Sequence, residues 1–169
     1  MSSDEAFLEQ VASALAEVRL EAIVVGNAGG ALHNAPVLTR DVDLLIRDTL
    51  VNRRKLDRFA QAMGGAKPVP LTEFSRVLRI YAATPIDILF DEISGGLKFE
   101  ALRSRSRRIR VGRLFLTVAS LRDIIKSKEA AGRPKDIAAL EILRSTLGVN
   151  ATLQPERSVG KGRYPRRSK

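Results

Sequence analysis

The sequence predicts one mixed α/β domain, and three observations lead to this fold class. Short apolar runs typical of strands alternate with segments whose apolar residues recur at helical spacing. The predicted order is helix, strand, helix, strand, helix, two strands, helix, hairpin and two helices, without an internal repeat. A chain of 169 residues is also the size of one ordinary domain. We expect residues 1–150 to form this domain and residues 151–169 to form a disordered, basic tail.

Each predicted strand is a short run that is either apolar throughout or alternates with period two. The second strand alternates Asp41 and Asp43 with apolar neighbours, and the last two form a hairpin that turns at Gly112 and Arg113. The stretch 64–70, with two glycines and two prolines, is expected to be irregular. The predicted strands cover residues 22–25, 41–46, 77–81, 86–90, 107–111 and 114–118.

The predicted helices have an apolar stripe or a capping signal at their start. The first begins with the capping box Ser2-Ser3-Asp4-Glu5, and the fifth follows Ser120 and ends at Gly132. Pro134 is well placed in the first turn of the sixth. The predicted helices begin near Ser2, Asn27, Asn52, Phe99, Ser120 and Pro134, and Asn52 is expected to cap the third of them.

The composition excludes several kinds of site. The chain has no cysteine, so it has no disulfides or thiolate ligands, and with a single histidine a zinc site is not expected. The longest apolar runs are too short to span a bilayer, and the acidic N-terminus lacks a signal-peptide pattern. We therefore expect a soluble, cytoplasmic protein with no membrane partner.

The formal net charge of +10 is concentrated in the tail and in six arginines within residues 103–113, which we call the basic block. Its members are Arg103, Arg105, Arg107, Arg108, Arg110 and Arg113. Such clusters are expected where a protein meets a polyanion, because each neutralised phosphate releases counterions. The basic block therefore indicates nucleic-acid contact. The alternative is a solvated surface that aids solubility.

Asp41 and Asp43 are two carboxylates inside an otherwise apolar strand. Because side chains alternate along a strand, both project from the same face, while Val42 and Leu44 point into the core. Paired carboxylates repel each other unless a cation lies between them, and Mg²⁺ prefers such oxygen ligands. The pattern predicts a magnesium site, and the alternative is a strand edge where both residues face water.

Asp87 is a third carboxylate, and it also lies within an apolar strand, residues 86–90. A single Asp in so apolar a run is expected at a strand end or beside a partner. If this strand lies next to that of Asp41 and Asp43, three carboxylates converge. Two-metal phosphoryl transfer needs such an arrangement.

A glycine-rich turn, residues 26–30, follows the first strand. A tight turn into a helix N-terminus exposes backbone N–H groups that suit phosphates. The alternative is that the small residues only let a helix pack closely on the sheet. The turn lacks a Walker lysine and the spacing of a dinucleotide-binding motif.

Together, the segments 24–27, 31–33 and 39–45, followed by the isolated Asp87, resemble the minimal nucleotidyltransferase superfamily. Within it the chain is most similar to small bacterial proteins grouped with the AbiEii-type toxins. The segment 121–140 is similar to the C-terminal motif of that group. The resemblance covers about residues 11–143 and leaves the tail outside. It implies a nucleotidyltransferase-like fold with flanking helices and a C-terminal helical pair.

The resemblance also implies roles for individual residues. Asp41 and Asp43 fall on the metal-binding pair, and Asp87 falls on the third carboxylate, which completes the metal site and can accept the proton of the attacking hydroxyl. Gly26 and Asn27 fall where the family has a Gly followed by Gly or Ser that holds the triphosphate. Asn27 departs from that pattern, because its side chain is larger.

Two further residues match polar positions of the toxin-like members. Lys128 and Asp136 fall where those proteins bind the nucleotide or support the site. The resemblance to toxins also makes an antitoxin protein an expected kind of partner.

We therefore predict an enzyme that moves a nucleoside monophosphate from a triphosphate to an acceptor hydroxyl, with two Mg²⁺ ions as cofactors. RNA, and a tRNA end in particular, is the preferred acceptor because the chain is basic. Two alternatives remain open. One is a catalytically inactive domain that binds nucleic acid or a protein partner, and the other is an enzyme that modifies a small molecule or a protein side chain.

Overall fold

The computed structural model describes residues 2–153, so the predicted tail from residue 154 onward lies outside the described residues. The helices are α1 (Ser3–Val18), α2 (Gly26–Leu32), α3 (Leu50–Ala62), α4 (Phe99–Arg105), α5 (Leu121–Ala131) and α6 (Pro134–Leu153). The strands are β1 (Ile23–Val25), β2 (Val42–Ile46), β3 (Val69–Pro70), β4 (Leu78–Ile80), β5 (Ile86–Phe90), β6 (Glu92–Ile93), β7 (Leu97–Lys98), β8 (Arg107–Val111) and β9 (Leu114–Val118).

A mixed sheet forms the centre of the fold, with strand order β3-β4-β5-β2-β1-β9-β8. The central strand β2 runs antiparallel to β1 and parallel to β5. The hairpin of β8 and β9 closes one edge, and β3 pairs with β4 at the other. A mixed sheet with flanking helices confirms the predicted fold class.

Apolar clusters cover both faces of the sheet, and β2 contributes to each of them. Leu44 belongs to the cluster that includes Leu15 of α1, whereas Leu45 belongs to the cluster that includes Leu143 of α6. This division follows from the alternation of side chains along a strand. Asp43 lies two residues before Leu45, so its side chain is on the face that α5 and α6 cover.

Two of the three predicted helix caps are confirmed. Ser2 and Ser120 each accept a hydrogen bond of 3.1 Å from the backbone N–H three residues further on. The prediction that Asn52 caps the third helix was wrong, because Thr49 accepts the hydrogen bond from the Asn52 N–H at 3.1 Å. The helix begins at Leu50, one turn earlier than the apolar pattern indicates.

Several elements differ in extent from the prediction. The stretch that was expected to be irregular contributes β3, and the short hairpin of β6 and β7 has only two residues in each strand, too few for a periodic pattern. Helix α6 continues to Leu153, past the predicted domain boundary at residue 150. Although α6 has 20 residues, no helix within the described residues is long and apolar enough to cross a membrane.

Candidate functional site

Three charged side chains lie next to one another on adjacent strands in the middle of the sheet. Asp43 of β2 pairs with Asp87 of β5, and Asp87 pairs in turn with Arg79 of β4. Directly paired residues on neighbouring strands point to the same face of a sheet. The parallel pairing of β2 with β5 therefore brings Asp87 beside Asp43, as the convergence of the carboxylates requires.

Arg79 joins Asp87 to Asp41, which lies one residue before β2. Its Nε and Nη2 donate to the two Asp87 carboxylate oxygens at 2.6 and 2.8 Å, and Nη2 also donates to Asp41 Oδ2 at 3.2 Å. A bidentate arginine–carboxylate pair of this kind is strong and directional. These contacts hold the carboxylates of Asp41 and Asp87 on one side of the sheet.

Gly26 brings the glycine-rich turn against Asp43. It is the first residue of α2 and has a φ of +63°, a conformation that side chains other than glycine rarely adopt. A Cβ at this position would lie 2.1 Å from Asp43 Oδ2. The predicted phosphate turn and the predicted metal ligand are therefore direct neighbours, and a side chain at residue 26 would collide with the Asp43 carboxylate.

Asp43 is partly buried and surrounded by negative charge. Burial, together with the charges of Asp41 and Asp87, raises the pKa of Asp43 to about 7, and the more distant charges of Lys135 and Lys128 only partly oppose this. Neighbouring carboxylates cannot all ionise without a compensating cation. The positive side chains described around Asp43 are therefore too few to balance three ionised carboxylates.

The three carboxylates fit a divalent cation in chemistry. Among residues 2–153, no three acidic, histidine or cysteine side chains are grouped so that they would hold a metal ion. Asp41, Asp43 and Asp87 nevertheless supply the hard oxygen ligands that Mg²⁺ prefers. The guanidinium of Arg79 is the cation that the described side chains place between Asp41 and Asp87.

Lys128 and Asp136 form a buried ion pair behind the site. Lys128 Nζ donates to Asp136 Oδ1 at 3.1 Å, and Arg133 donates to the two Asp136 oxygens at 2.6 and 3.3 Å. Burial alone would raise the pKa of Asp136, but the hydrogen bonds from Arg133 and Lys128 lower it. The pair joins α5 to α6. Lys128 lines the same small cavity as Gly26 and Asp43.

Asn27 does not present its amide N–H₂ to the predicted phosphate position. Its Nδ2 donates to the carbonyl oxygen of Leu38 at 2.9 Å, and its Oδ1 is buried without a hydrogen-bond partner in the described part of the chain. The side chain therefore ties the loop between α2 and β2 to the start of α2. This contact explains how a residue larger than Gly or Ser fits after Gly26.

A cleft of about 460 Å³ opens beside Asp41. It lies between the loop before β2 and helix α6, and Arg40 and Lys135 contribute positive charge. Its volume is that of a small-molecule site. A slightly larger cleft of about 520 Å³ lies along α6 around Ile142 and Val149 and contains none of the predicted site residues.

The β8 part of the basic block lies at the opposite edge of the sheet from Arg79, whereas Arg103 and Arg105 belong to helix α4. Strand β8 is separated from β2 by β1 and β9. Several arginines of the basic block contact groups of the same chain, namely Arg103 with Glu21, Arg105 with Asp123, Arg108 with the Phe115 ring and Arg110 with the Gly112 carbonyl. Nucleic-acid binding by the block stays a prediction, and the block does not line the carboxylate site.

Arg79 and Arg133 are site residues that the sequence reasoning missed. Arg79 lies in an unremarkable strand, and its role depends on the antiparallel pairing of β4 with β5, which no local pattern reveals. The signal for Arg133 was stronger, because it stands immediately before α6 and three residues before Asp136, which lies in the first turn of that helix. A basic residue so near to Asp136 in the chain is a local candidate for its ion-pair partner.

The mixed sheet and its helices have the nucleotidyltransferase fold. The solution structure of antibiotic-resistance factor ANT(2'')-Ia matches with a TM-score of 0.63 at 14% identity, over 88% of this chain and 86% of that one. Its crystal structure in complex with adenylyl-2''-tobramycin matches with a TM-score of 0.63 at 14% identity, over 90% of this chain and 94% of that one. The Thermotoga maritima protein TM1012 matches with a TM-score of 0.58 at 18% identity, over 88% of this chain and 96% of that one.

No protein-family model and no curated protein matches the sequence. The structural likeness confirms the nucleotidyltransferase fold that the resemblance implied. The closer likeness to the AbiEii-type toxins stays a prediction.

Proposed function

We propose that the chain is a nucleotidyltransferase that moves a nucleoside monophosphate from a nucleoside triphosphate to an acceptor hydroxyl. The observation that carries this proposal is the register of β2 and β5, which pairs Asp43 with Asp87 next to the turn at Gly26. The nucleotidyltransferase fold supports it. In the reaction, the acceptor oxygen forms a bond to the α-phosphorus while the bond to the β-phosphate oxygen breaks and pyrophosphate leaves.

The chain's own residues divide the work between two sides of the carboxylate cluster. The turn at Gly26 and Asn27, with the backbone N–H groups of α2, receives the triphosphate on the β1 side. Asp87 lies on the β5 side, where its carboxylate accepts the proton of the acceptor hydroxyl or orients that hydroxyl. Lys128 and Asp136 support the site from behind, since their ion pair fixes α5 against α6.

Asp41, Asp43 and Asp87 would hold the divalent metal ions, for which Mg²⁺ is the proposed species. When bound, the metal neutralises charge on the phosphates and activates the acceptor oxygen. Without it, the ionised carboxylates would repel the triphosphate. The clustering of the three carboxylates is therefore an argument for a cationic cofactor.

RNA is the acceptor that we propose first, because the chain carries a net charge of +10. The position of the basic block, three strands away from β2, means that RNA bound there would have to extend across the sheet to reach Asp87. A small-molecule acceptor is the second candidate. ANT(2'')-Ia, which shares the fold, was crystallised with an adenylylated tobramycin. A toxin role and an antitoxin partner would follow only if RNA is modified.

An inactive, ligand-binding domain is the competing proposal. Asn27 favours it, because the side chain after Gly26 is larger than in the family pattern. The hydrogen bond from Asn27 to the Leu38 carbonyl weakens this argument, since it draws the amide N–H₂ towards the loop.

The test is transfer of label from each α-³²P-labelled triphosphate to total tRNA, to tobramycin and to protein, with Mg²⁺. We expect label on one acceptor class, and we expect Asp43→Asn and Asp87→Asn to lose it. Asp123→Asn is the matched control, since Asp123 is a buried carboxylate paired with an arginine but lies outside the cluster. Equal transfer by Asp43→Asn and wild type would refute the assignment. No label, together with no Mg²⁺-dependent thermal shift by any triphosphate, would favour the inactive domain.

A further inference from the structure

We propose that Arg79 is the resident counter-ion of the carboxylate site, and that a divalent cation binds there by displacing its guanidinium from Asp41 and Asp87. This inference rests on the proposed function, because it concerns the same three carboxylates. It makes Arg79 a positioning residue that determines how readily the site takes up metal.

The carboxylate oxygens that a metal ion would need already accept hydrogen bonds. Both oxygens of Asp87 accept hydrogen bonds from Arg79, and Asp41 Oδ2 accepts a third. A metal ion that takes these oxygens as ligands competes directly with the guanidinium. The two cations cannot both occupy the space between Asp41 and Asp87.

Arg79 balances the negative charge of Asp41 and Asp87. In residues 2–153, Arg79 is the one side chain that forms an ion pair with Asp41 or Asp87. The nearby Lys128 and Arg133 are paired with Asp136 instead. Removing Arg79 would leave three neighbouring carboxylates with no direct counter-ion, so their demand for an external cation would rise.

The Arg79 side chain has room to move away from the carboxylates towards solvent. Its side chain is 22% exposed, whereas that of Asp87 is 9% exposed. The guanidinium can therefore move towards solvent without crossing the core, while Asp87 stays where the paired strands hold it.

The test is the affinity of the metal-free full chain for Mn²⁺, measured by calorimetry in the absence of nucleotide. We expect Arg79→Gln to lower the Kd for Mn²⁺ by about tenfold or more, because the competing cation is gone. Asp43→Asn should weaken Mn²⁺ binding. Arg53→Gln is the matched control: Arg53 makes the same kind of bidentate contact with Asp48, at 2.6 and 2.9 Å, outside the site. Its Kd should equal that of wild type.

A second readout and a second variant guard against misfolding. In EDTA, Arg79→Gln should melt below wild type, and Mn²⁺ should raise its Tm by more than it raises that of wild type. Arg79→Lys keeps one charge but cannot span two carboxylates with a planar fork, so its Mn²⁺ affinity should lie between those of wild type and Arg79→Gln.

The outcomes separate this inference from the proposed function. If Arg79→Gln binds Mn²⁺ no tighter than wild type while Asp43→Asn weakens binding, the carboxylates bind metal and the displacement of Arg79 is refuted. If neither wild type nor Arg79→Gln binds Mn²⁺, both this inference and the metal-dependent function are refuted.

Discussion

Gly26 and Asp43 lie so close together that the missing Cβ of the glycine is what makes room for the carboxylate. A Cβ on Gly26 would lie 2.1 Å from Asp43 Oδ2. The turn that is proposed to bind the triphosphate and the carboxylate that is proposed to bind metal are therefore a single structural unit. A side chain on the turn would change the position of Asp43.

We predict that Gly26→Ala displaces the Asp43 carboxylate and weakens Mn²⁺ binding. Gly64→Ala is the matched control, since Gly64 has a similar φ of +71° but, among the described residues, no heavy atom other than those of its chain neighbours within 4 Å of its Cβ position. Each variant should lose about 1 kcal/mol of stability from backbone strain. Calorimetry should then show weaker Mn²⁺ binding for Gly26→Ala alone. Equal Mn²⁺ affinity in the two variants would contradict the proposed contact.

We predict a pH-dependent stability difference between wild type and Asp43→Asn in EDTA. An Asp in an unfolded chain ionises near pH 4, whereas Asp43 in the folded protein holds its proton up to about pH 7. Between these values the folded state binds the extra proton, so the stability contributed by Asp43 is lost as pH rises. Asp43→Asn has no carboxyl group at this position, so its stability does not fall with pH for this reason.

The measurement is urea unfolding of both proteins at pH 5 and pH 8. The free energy of unfolding of Asp43→Asn, relative to wild type, should increase between the two pH values by about 2 kcal/mol. A difference that does not change with pH would show that the pKa of Asp43 is not raised.

We predict that Asp136→Asn destabilises the fold by about 3 kcal/mol, because Lys128 would remain buried beside a neutral group. The fully buried Asp136 is the common partner of Lys128 and Arg133. Glu129→Gln is the control, since the Glu129–Arg144 pair is exposed and should change the free energy of unfolding by less than about 1 kcal/mol. If chemical denaturation showed that Asp136→Asn and Glu129→Gln lower the free energy of unfolding by similar amounts, the buried pair would have no special structural role.

We predict that RNA binding, if the basic block carries it, weakens in the double variant Arg108→Gln, Arg110→Gln. Each lost phosphate contact should reduce the slope of log K against log salt by about 1. Filter binding over a range of salt concentrations measures that slope. Asp43→Asn serves as the comparison, since it should remove transfer without lowering the salt slope. An unchanged slope in the double variant would place RNA binding elsewhere.

Much of the fold could be predicted because its signals are local. The hairpin of β8 and β9 and strand β5 lie where the period-two pattern placed them, and Ser2 and Ser120 cap their helices as predicted. Strand β3 and the hairpin of β6 and β7 could not be predicted, because two-residue strands are too short to have a period. The cap of α3 was misplaced because Thr49 and Asn52 both suit an N-cap, and only the backbone conformation distinguishes them.

For the candidate site, strand periodicity is a property of the local backbone, so the sequence alone predicts that Asp41 and Asp43 share a face. It also identifies Asp87 as an isolated carboxylate in an apolar strand. The pairing of Asp87 with Asp43, and the neutralisation of Asp87 and Asp41 by Arg79, follow only from the tertiary fold. Those relationships depend on which strands are neighbours and in what register. Strand order is set by the packing of the whole core, to which residues far apart in the sequence contribute.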